Sequence, residues 1–181
     1  IGKIGPQQEK ALLDFVDSGK GFVPLHCASY CFLNSPKYIA LVGAQFKRHG
    51  TGVFGVSNVQ PDHPIMKGFN GFESWDETYV HTHHNEKNRT LLETRAEGKG
   101  REPWTWVRTR GKGRIFYTAW GHDQRTWEHP GFHELVERGI RWSTGADEFP
   151  VSHKRKPHRG LQPFEFKSAK LPNYLPNRRW G

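Results

Sequence analysis

The feature that most constrains this chain is a short apolar run, Gly21-Phe22-Val23-Pro24-Leu25, set between a helical repeat and a histidine. Glycine bounds it, and its length suits a buried strand better than a helix. Before it, Ala11, Leu12, Phe15 and Val16 fall at helical spacing, which predicts an amphipathic helix over 7–17 with Gly19 as its stop. After it, Ser35-Pro36 offers an N-cap and a first helical residue for a helix over 37–42. Pro24 removes a ladder donor and is easiest to place near a strand end. Helix, buried strand and helix in succession argue for a layered α/β fold.

Further strands are predicted over 53–56, 90–95, 104–109 and 114–119, the last two joined by the turn-like Arg110-Gly111-Lys112-Gly113. Phe132, Leu135, Val136, Gly139 and Ile140 share one face of a closing helix over 130–143, which Gly145 ends. Residues 1–146 therefore read as one layered α/β domain. From 147 to 181, prolines and charges interrupt every pattern, and an extended basic tail or interdomain linker is expected.

The formal net charge of +9 raises the question of nucleic acid. Lys154, Arg155, Lys156, Arg159, Lys167, Lys170, Arg178 and Arg179 stand against Glu165 alone in residues 151–181, so most of the excess sits in the tail. The body shows no basic groove interleaved with aromatics, so no nucleic-acid partner is expected. No apolar run approaches the ~20 residues of a membrane span. Cys27 and Cys31 are the only cysteines, too few for a disulfide framework or a four-thiolate zinc site.

In open α/β sheets, chemistry sits beyond the carboxyl ends of the strands. His26-Cys27 follows the first predicted strand and His122-Asp123 the last, with His49, Asp76-Glu77 and His81-Thr82-His83-His84 between. Eleven histidines are many for this length, and histidine is both the common metal ligand and the usual acid–base group near neutral pH. His26, His49, His122 and Asp76 form a candidate set for a divalent metal such as zinc. Without a metal, His26 or His122 with Glu77 could form an acid–base pair, and Cys27 beside His122 a thiolate nucleophile. The bland alternatives are histidines that bond loop backbone and a cysteine that fills space. A solvated loop is expected for His81, His83 and His84. Trp75, Trp104, Trp106, Trp120 and Trp127 are read as core before sugar-stacking platform.

Several ordered motifs carry a resemblance. Gly19-Lys20-Gly21-Phe22-Val23-Pro24-Leu25-His26-Cys27-Ala28, the stretch Leu41 to His49, Asp62-His63-Pro64-Ile65 and Asp76-Glu77-Thr78-Tyr79 are four of them. Gly111 to His122 and Gly139-Ile140-Arg141-Trp142 complete the series. Together they resemble ThuA-like, trehalose-utilisation-type domains of the class I glutamine amidotransferase-like superfamily.

That resemblance implies an open, mainly parallel, flavodoxin-like sheet flanked by helices and lacking its first strands. It also implies a role in bacterial carbohydrate utilisation with a sugar or keto-sugar as ligand. The tail resembles the join to a sugar-dehydrogenase-like propeller domain, which would make this a docking module of a larger protein. Relatives with such a tail include exported proteins, and the compartment stays open. His26 falls at the superfamily's nucleophile position, Cys27 one step beyond, and His122 near the partner histidine. Asp123 stands where a Pro-Glu pair is usual, which argues against glutaminase chemistry.

Overall fold

The computed structural model describes residues 2–146; the expected basic tail or linker lies outside the described residues. Helix α1 (Pro6–Asp17) begins with proline in its first turn, where the missing N–H costs nothing. Its buried side chains are Leu13 and Val16. Phe15, expected on the inner face, is 51% exposed, so the apolar stripe is rotated from the predicted one.

From Lys20 to Leu25 the chain runs beside strand β8 (Gly113–Thr118). Parallel bridges join Phe22 to Ile115 and Leu25 to Thr118. Phe22 N donates to Arg114 O at 3.0 Å, and Phe116 N returns a bond to Phe22 O at 3.0 Å. Donors on one strand edge recur every second residue, so the next N–H facing β8 belongs to position 24. Pro24 has none, and the pairing is reduced to two separate bridges in place of the predicted strand.

A 3₁₀ turn, His26–Tyr30, follows, and then α2 (Pro36–Val42), whose N-cap Ser35 Oγ accepts the Tyr38 N–H. The C-cap Gly43 has φ 109°. A Cβ there would lie 2.7 Å from Trp106 Nε1, whose proton is donated to Val42 O at 2.8 Å.

The remaining strands are β1 (Gln45–Arg48), β2 (Thr51–Gly55), β3 (Ser57–Asn58), β4 (Glu73–Glu77), β5 (Val80–Thr82), β6 (Arg89–Glu97) and β7 (Gly100–Arg110). A four-stranded sheet runs β3-β6-β7-β8, and β1-β5 and β2-β4 form two-stranded ladders. Every one of these pairings is antiparallel. The expected mainly parallel, flavodoxin-like sheet is thus corrected to a mixed α/β arrangement. The reason is local: β6, β7 and β8 are joined by tight turns, Glu97 opposite Gly100 and Arg110 opposite Gly113, and such turns can only return a strand antiparallel.

After β8 come the short α3 (Gln124–Trp127) and α4 (Pro130–Ser143). Helix α4 buries Phe132, Leu135, Gly139 and Trp142 against the sheet, while Ile140, expected inside, is 47% exposed. Trp104, Trp106 and Trp120 are wholly buried with Phe116 and Tyr117, the core role expected of them, whereas Trp75 is half-buried and Trp127, expected inside as well, is 47% exposed. None of the helices among the described residues is long and apolar enough to cross a membrane.

Candidate active site

Strand β4 ends in Asp76-Glu77, and the two adjacent carboxylates do different work. Asp76 is fully buried. Its Oδ1 accepts the N–H of Glu77 at 2.8 Å and of His122 at 3.1 Å, and its Oδ2 accepts the N–H of Gly121 at 2.9 Å. Three backbone donors hold it as a clamp between β4 and the turn after β8. The turn requires Gly121, whose φ is 127°, and its pinned N–H groups bring His122 over Glu77.

Glu77 is the hub. Its Oε2 lies 3.2 Å from His26 Nε2, and its Oε1 lies 3.3 Å from His122 Nδ1 and 3.4 Å from His49 Nε2. His49 is brought there by the β2–β4 ladder. Thr78 N donates to Gly50 O at 2.8 Å, and Gly50 N donates to Thr78 Oγ1 at 3.0 Å. The side chains of His26 and Glu77 are 7% and 11% exposed, those of His49 and His122 38% and 51%. The group therefore grades from a buried floor to an open rim.

His26 sits at the sharp turn that ends the Lys20–Leu25 segment, with φ 44°. A non-glycine residue there is strained, and such outliers gather at working sites. Its Nδ1 is 2.8 Å from Ala119 O, which can only accept, so Nδ1 carries a proton and Nε2 faces Glu77. Burial pushes the imidazole below its usual pKa, only partly offset by the Ala119 carbonyl and the Asp76 and Glu77 charges. The ring packs at 4.2 Å on Tyr79 and lies 5.5 Å from the His122 ring. Burial, then the Glu77 charge, drives the Tyr79 phenol far above its ordinary range.

One layer below, Tyr117 OH bonds the His26 carbonyl and Ser29 Oγ, each at 3.0 Å. His81 Nε2 stands 3.1 Å from the same hydroxyl, and His81 Nδ1 is 2.9 Å from Glu102 Oε1. His81, expected in a solvated loop, is thus a buried member of β5 that supports the His26 turn. His83 and His84 are exposed, as expected. Tyr79 and Tyr117 lie inside motifs of the sequence but were not singled out as site residues, and Glu102 was not marked at all; the period-two spacing of Tyr79 and His81 was the available signal.

Of the expected site residues, His26, Glu77 and His122 converge, with one donor atom from each inside a 4.8 Å sphere of mutual distances. His49 touches the hub from outside that group. Asp76 is not among the converging donors, because its oxygens are committed to backbone N–H groups. Cys27 is free and exposed, and its thiol does not join them either. Tetrahedral zinc with nitrogen or oxygen ligands near 2.0–2.2 Å needs ligand atoms about 3.3 Å apart. The His26–Glu77 and His122–Glu77 separations are of that size, each to a different oxygen of the carboxylate, and the Nδ1–H bond to Ala119 O sets the tautomer that a ligating Nε2 requires.

Fold and site define a mixed α/β domain whose imidazoles and one carboxylate meet where β8 ends. The family model described as trehalose utilisation, ThuA, matches residues 2–143, and the chain belongs to that family. No curated protein matches it. Among solved structures it is similar to a ThuA-like protein of Bacteroides uniformis, at 20% identity and TM-score 0.67, over 79% of this chain and 66% of that one. A ThuA-like protein of Parabacteroides merdae matches at 20% identity and TM-score 0.65, over 80% and 67%. A cold-adapted β-galactosidase of Rahnella sp. R3 matches at 18% identity and TM-score 0.54, over 77% of this chain and 21% of that one. At such identities the likeness shows the fold alone. The chain spans about two thirds of the length of the two ThuA-like proteins.

Proposed function

We propose that the cluster of His26, Glu77 and His122 is an active site for a sugar or keto-sugar, and that it holds a divalent metal such as zinc. One observation carries the reading. With its Nδ1 proton committed to Ala119 O, His26 turns the lone pair of Nε2 toward Glu77 Oε2 at 3.2 Å. Two electron-rich atoms at that distance repel unless a proton or a cation lies between them. Burial works against a protonated imidazole, and a metal cation bound by both atoms can take the bridging role.

A zinc ion in such a site would polarise a carbonyl oxygen or activate water. The chain's own residues then divide the work. Asp76 and the Gly121 turn position His122. Tyr117 and Ser29 hold the His26 carbonyl. Exposed His122 and His49 stand at the entrance, where a hydroxyl-rich ligand would meet them. Membership of the trehalose-utilisation family supports a saccharide as that ligand. A metal-free variant of the same reading uses His26 or His122 with Glu77 as the acid–base pair.

Purified protein should contain a stoichiometric divalent metal that His26→Ala and Glu77→Gln both lose while the circular dichroism stays native. Turnover of a panel of sugars and keto-sugars should fall with the metal. Full metal occupancy in both variants would sink the ligand assignment. Wild-type turnover in His26→Ala would sink the active site itself.

A second reading is a binding module that packs against a further domain, such as a sugar-dehydrogenase-like propeller. It is favoured by an open apolar groove of about 490 Å³ lined by Trp127, Phe132, Val136 and Ile140. Deletion of residues 150–181 within the parent protein should then disrupt assembly with that domain; unchanged assembly would remove this reading.

A further inference from the structure

At the opposite end of the sheet from the histidines, two arginines face each other. The β6–β7 register sets Arg89 directly across from Arg108, and like charges directly opposed on one sheet face repel. Arg89 is relieved: it pairs with Glu86 at 2.9 Å and lies over the Trp106 ring at 5.8 Å. Arg108 is not. It is only 6% exposed, its guanidinium donates through Nη1 to the Asn85 carbonyl, and no carboxylate among the described residues pairs with it. Burial, and then Arg89, push it down to about 10.

A buried cation without a counter-charge is costly, by several kcal/mol on the order of the effective ionic desolvation penalty. Beside Arg108 is a cavity of about 220 Å³ lined by Asn85, Lys87, Asn88, Arg108 and Arg110, with Ala40 and Leu41 as its apolar wall. Three cations and no acid line it. Arg110 is answered by Asp17 at 3.0 Å; Lys87 and Arg108 have no such acid among the described residues. The volume equals roughly seven waters at ~30 Å³ each, room for a phosphate group with part of its hydration. Buried Arg108 with exposed Lys87 at the mouth offers two positive charges to a doubly charged anion, and the planar guanidinium matches phosphate oxygens well.

We infer that this cleft is a second binding site, which takes a phosphate dianion either as the free ion or as a phosphomonoester, with Arg108 and Lys87 as its principal ligands. The site is separate from the histidine cluster: Arg108 and Arg110 pair with Ile115 and Gly113 near the start of β8, whereas His26 lies beyond the Leu25–Thr118 bridge at its end. The inference does not depend on what the histidines do.

The test titrates the full chain with inorganic phosphate and, separately, glycerol phosphate against sodium chloride at matched ionic strength, by calorimetry and thermal shift. Matching is essential, because salt alone screens the Arg89–Arg108 repulsion. Saturable binding and a rise in Tm are expected with a phosphate and not with chloride. Arg108→Gln should weaken it at least about tenfold, as loss of a charge-assisted contact does. Lys87→Glu, at an exposed position, should weaken it by a comparable factor and keeps the test decisive if Arg108→Gln fails to fold. Binding of inorganic phosphate identifies the free ion as sufficient; tighter binding of glycerol phosphate identifies the ester. No saturable response to either, or an unchanged affinity in Lys87→Glu, overturns the inference.

Discussion

The hydroxyl of Tyr117 lies 3.0 Å from the backbone carbonyl of His26, so a strand residue in the core fixes the turn that presents the buried imidazole. Tyr117 is wholly buried, and its hydroxyl also meets Ser29 and His81. Tyr117→Phe keeps the ring and strips these groups of a shared partner. Leaving a buried polar group unpaired costs about 1–3 kcal/mol. The urea midpoint should fall by the corresponding amount with an unchanged m-value. A midpoint equal to wild type would show that the network does not bear on stability.

Asp76 and its neighbour Glu77 make a sharper comparison. Asp76→Asn retains shape but replaces one acceptor oxygen by an NH₂ group facing a backbone N–H. The Gly121–His122 turn should loosen, at a cost of about 1–3 kcal/mol. If His122 is a metal ligand, divalent-metal affinity should also drop by about 10–100-fold, the usual effect of losing a group that orients a ligand. Glu77→Gln should instead lose the metal while leaving the melting temperature of the metal-free protein close to wild type. Equal behaviour of the two variants in both assays would contradict the division of labour between the carboxylates.

Local signals made much of the fold legible. Ser35-Pro36 capped its helix, Gly111-Lys112 turned its hairpin, and the closing helix ran over 130–143 as its spacing indicated. Strands β1, β4 and β5 were not legible. Their residues hide the pattern in two ways: Asp76, Glu77 and His81 look solvated but are buried by partners far away in sequence, and Lys47 and Arg48 of β1 are exposed and carry no apolar signal. The same blindness governed the site. Residue type alone picked out His26, His49, Glu77 and His122, but it could not separate Asp76, spent on backbone donors, from Glu77, aimed at imidazoles. Nor could it reveal that His81 lies inside.

Gly43 is the point at which α2 meets the sheet. With φ at 109° and a notional Cβ only 2.7 Å from Trp106 Nε1, alanine there is disfavoured twice, by the backbone and by the contact. Gly43→Ala should destabilise by more than about 1 kcal/mol and weaken the Trp106 bond to Val42 O. Thermal unfolding and the indole N–H resonance of Trp106 would both report it. An unshifted resonance would mean that the helix end yields freely.

Glu93 gives the stability of this domain a pH dependence of its own. It is buried in β6, where Thr105 donates to it, and desolvation raises its pKa from 4.5 to about 7. Between those values the unfolded chain releases a proton that the folded chain keeps. Stability is therefore greatest with respect to this group below pH 4.5 and declines as pH rises toward about 7. At 1.36 kcal/mol per unit the loss is on the order of 3 kcal/mol. Glu93→Gln, neutral at every pH, should be about as stable as wild type near pH 4.5 and more stable at pH 8, with a flatter profile between. Urea titrations of both proteins across that range measure the difference directly. Parallel profiles for wild type and variant would mean that Glu93 is already ionised in the folded protein near neutral pH.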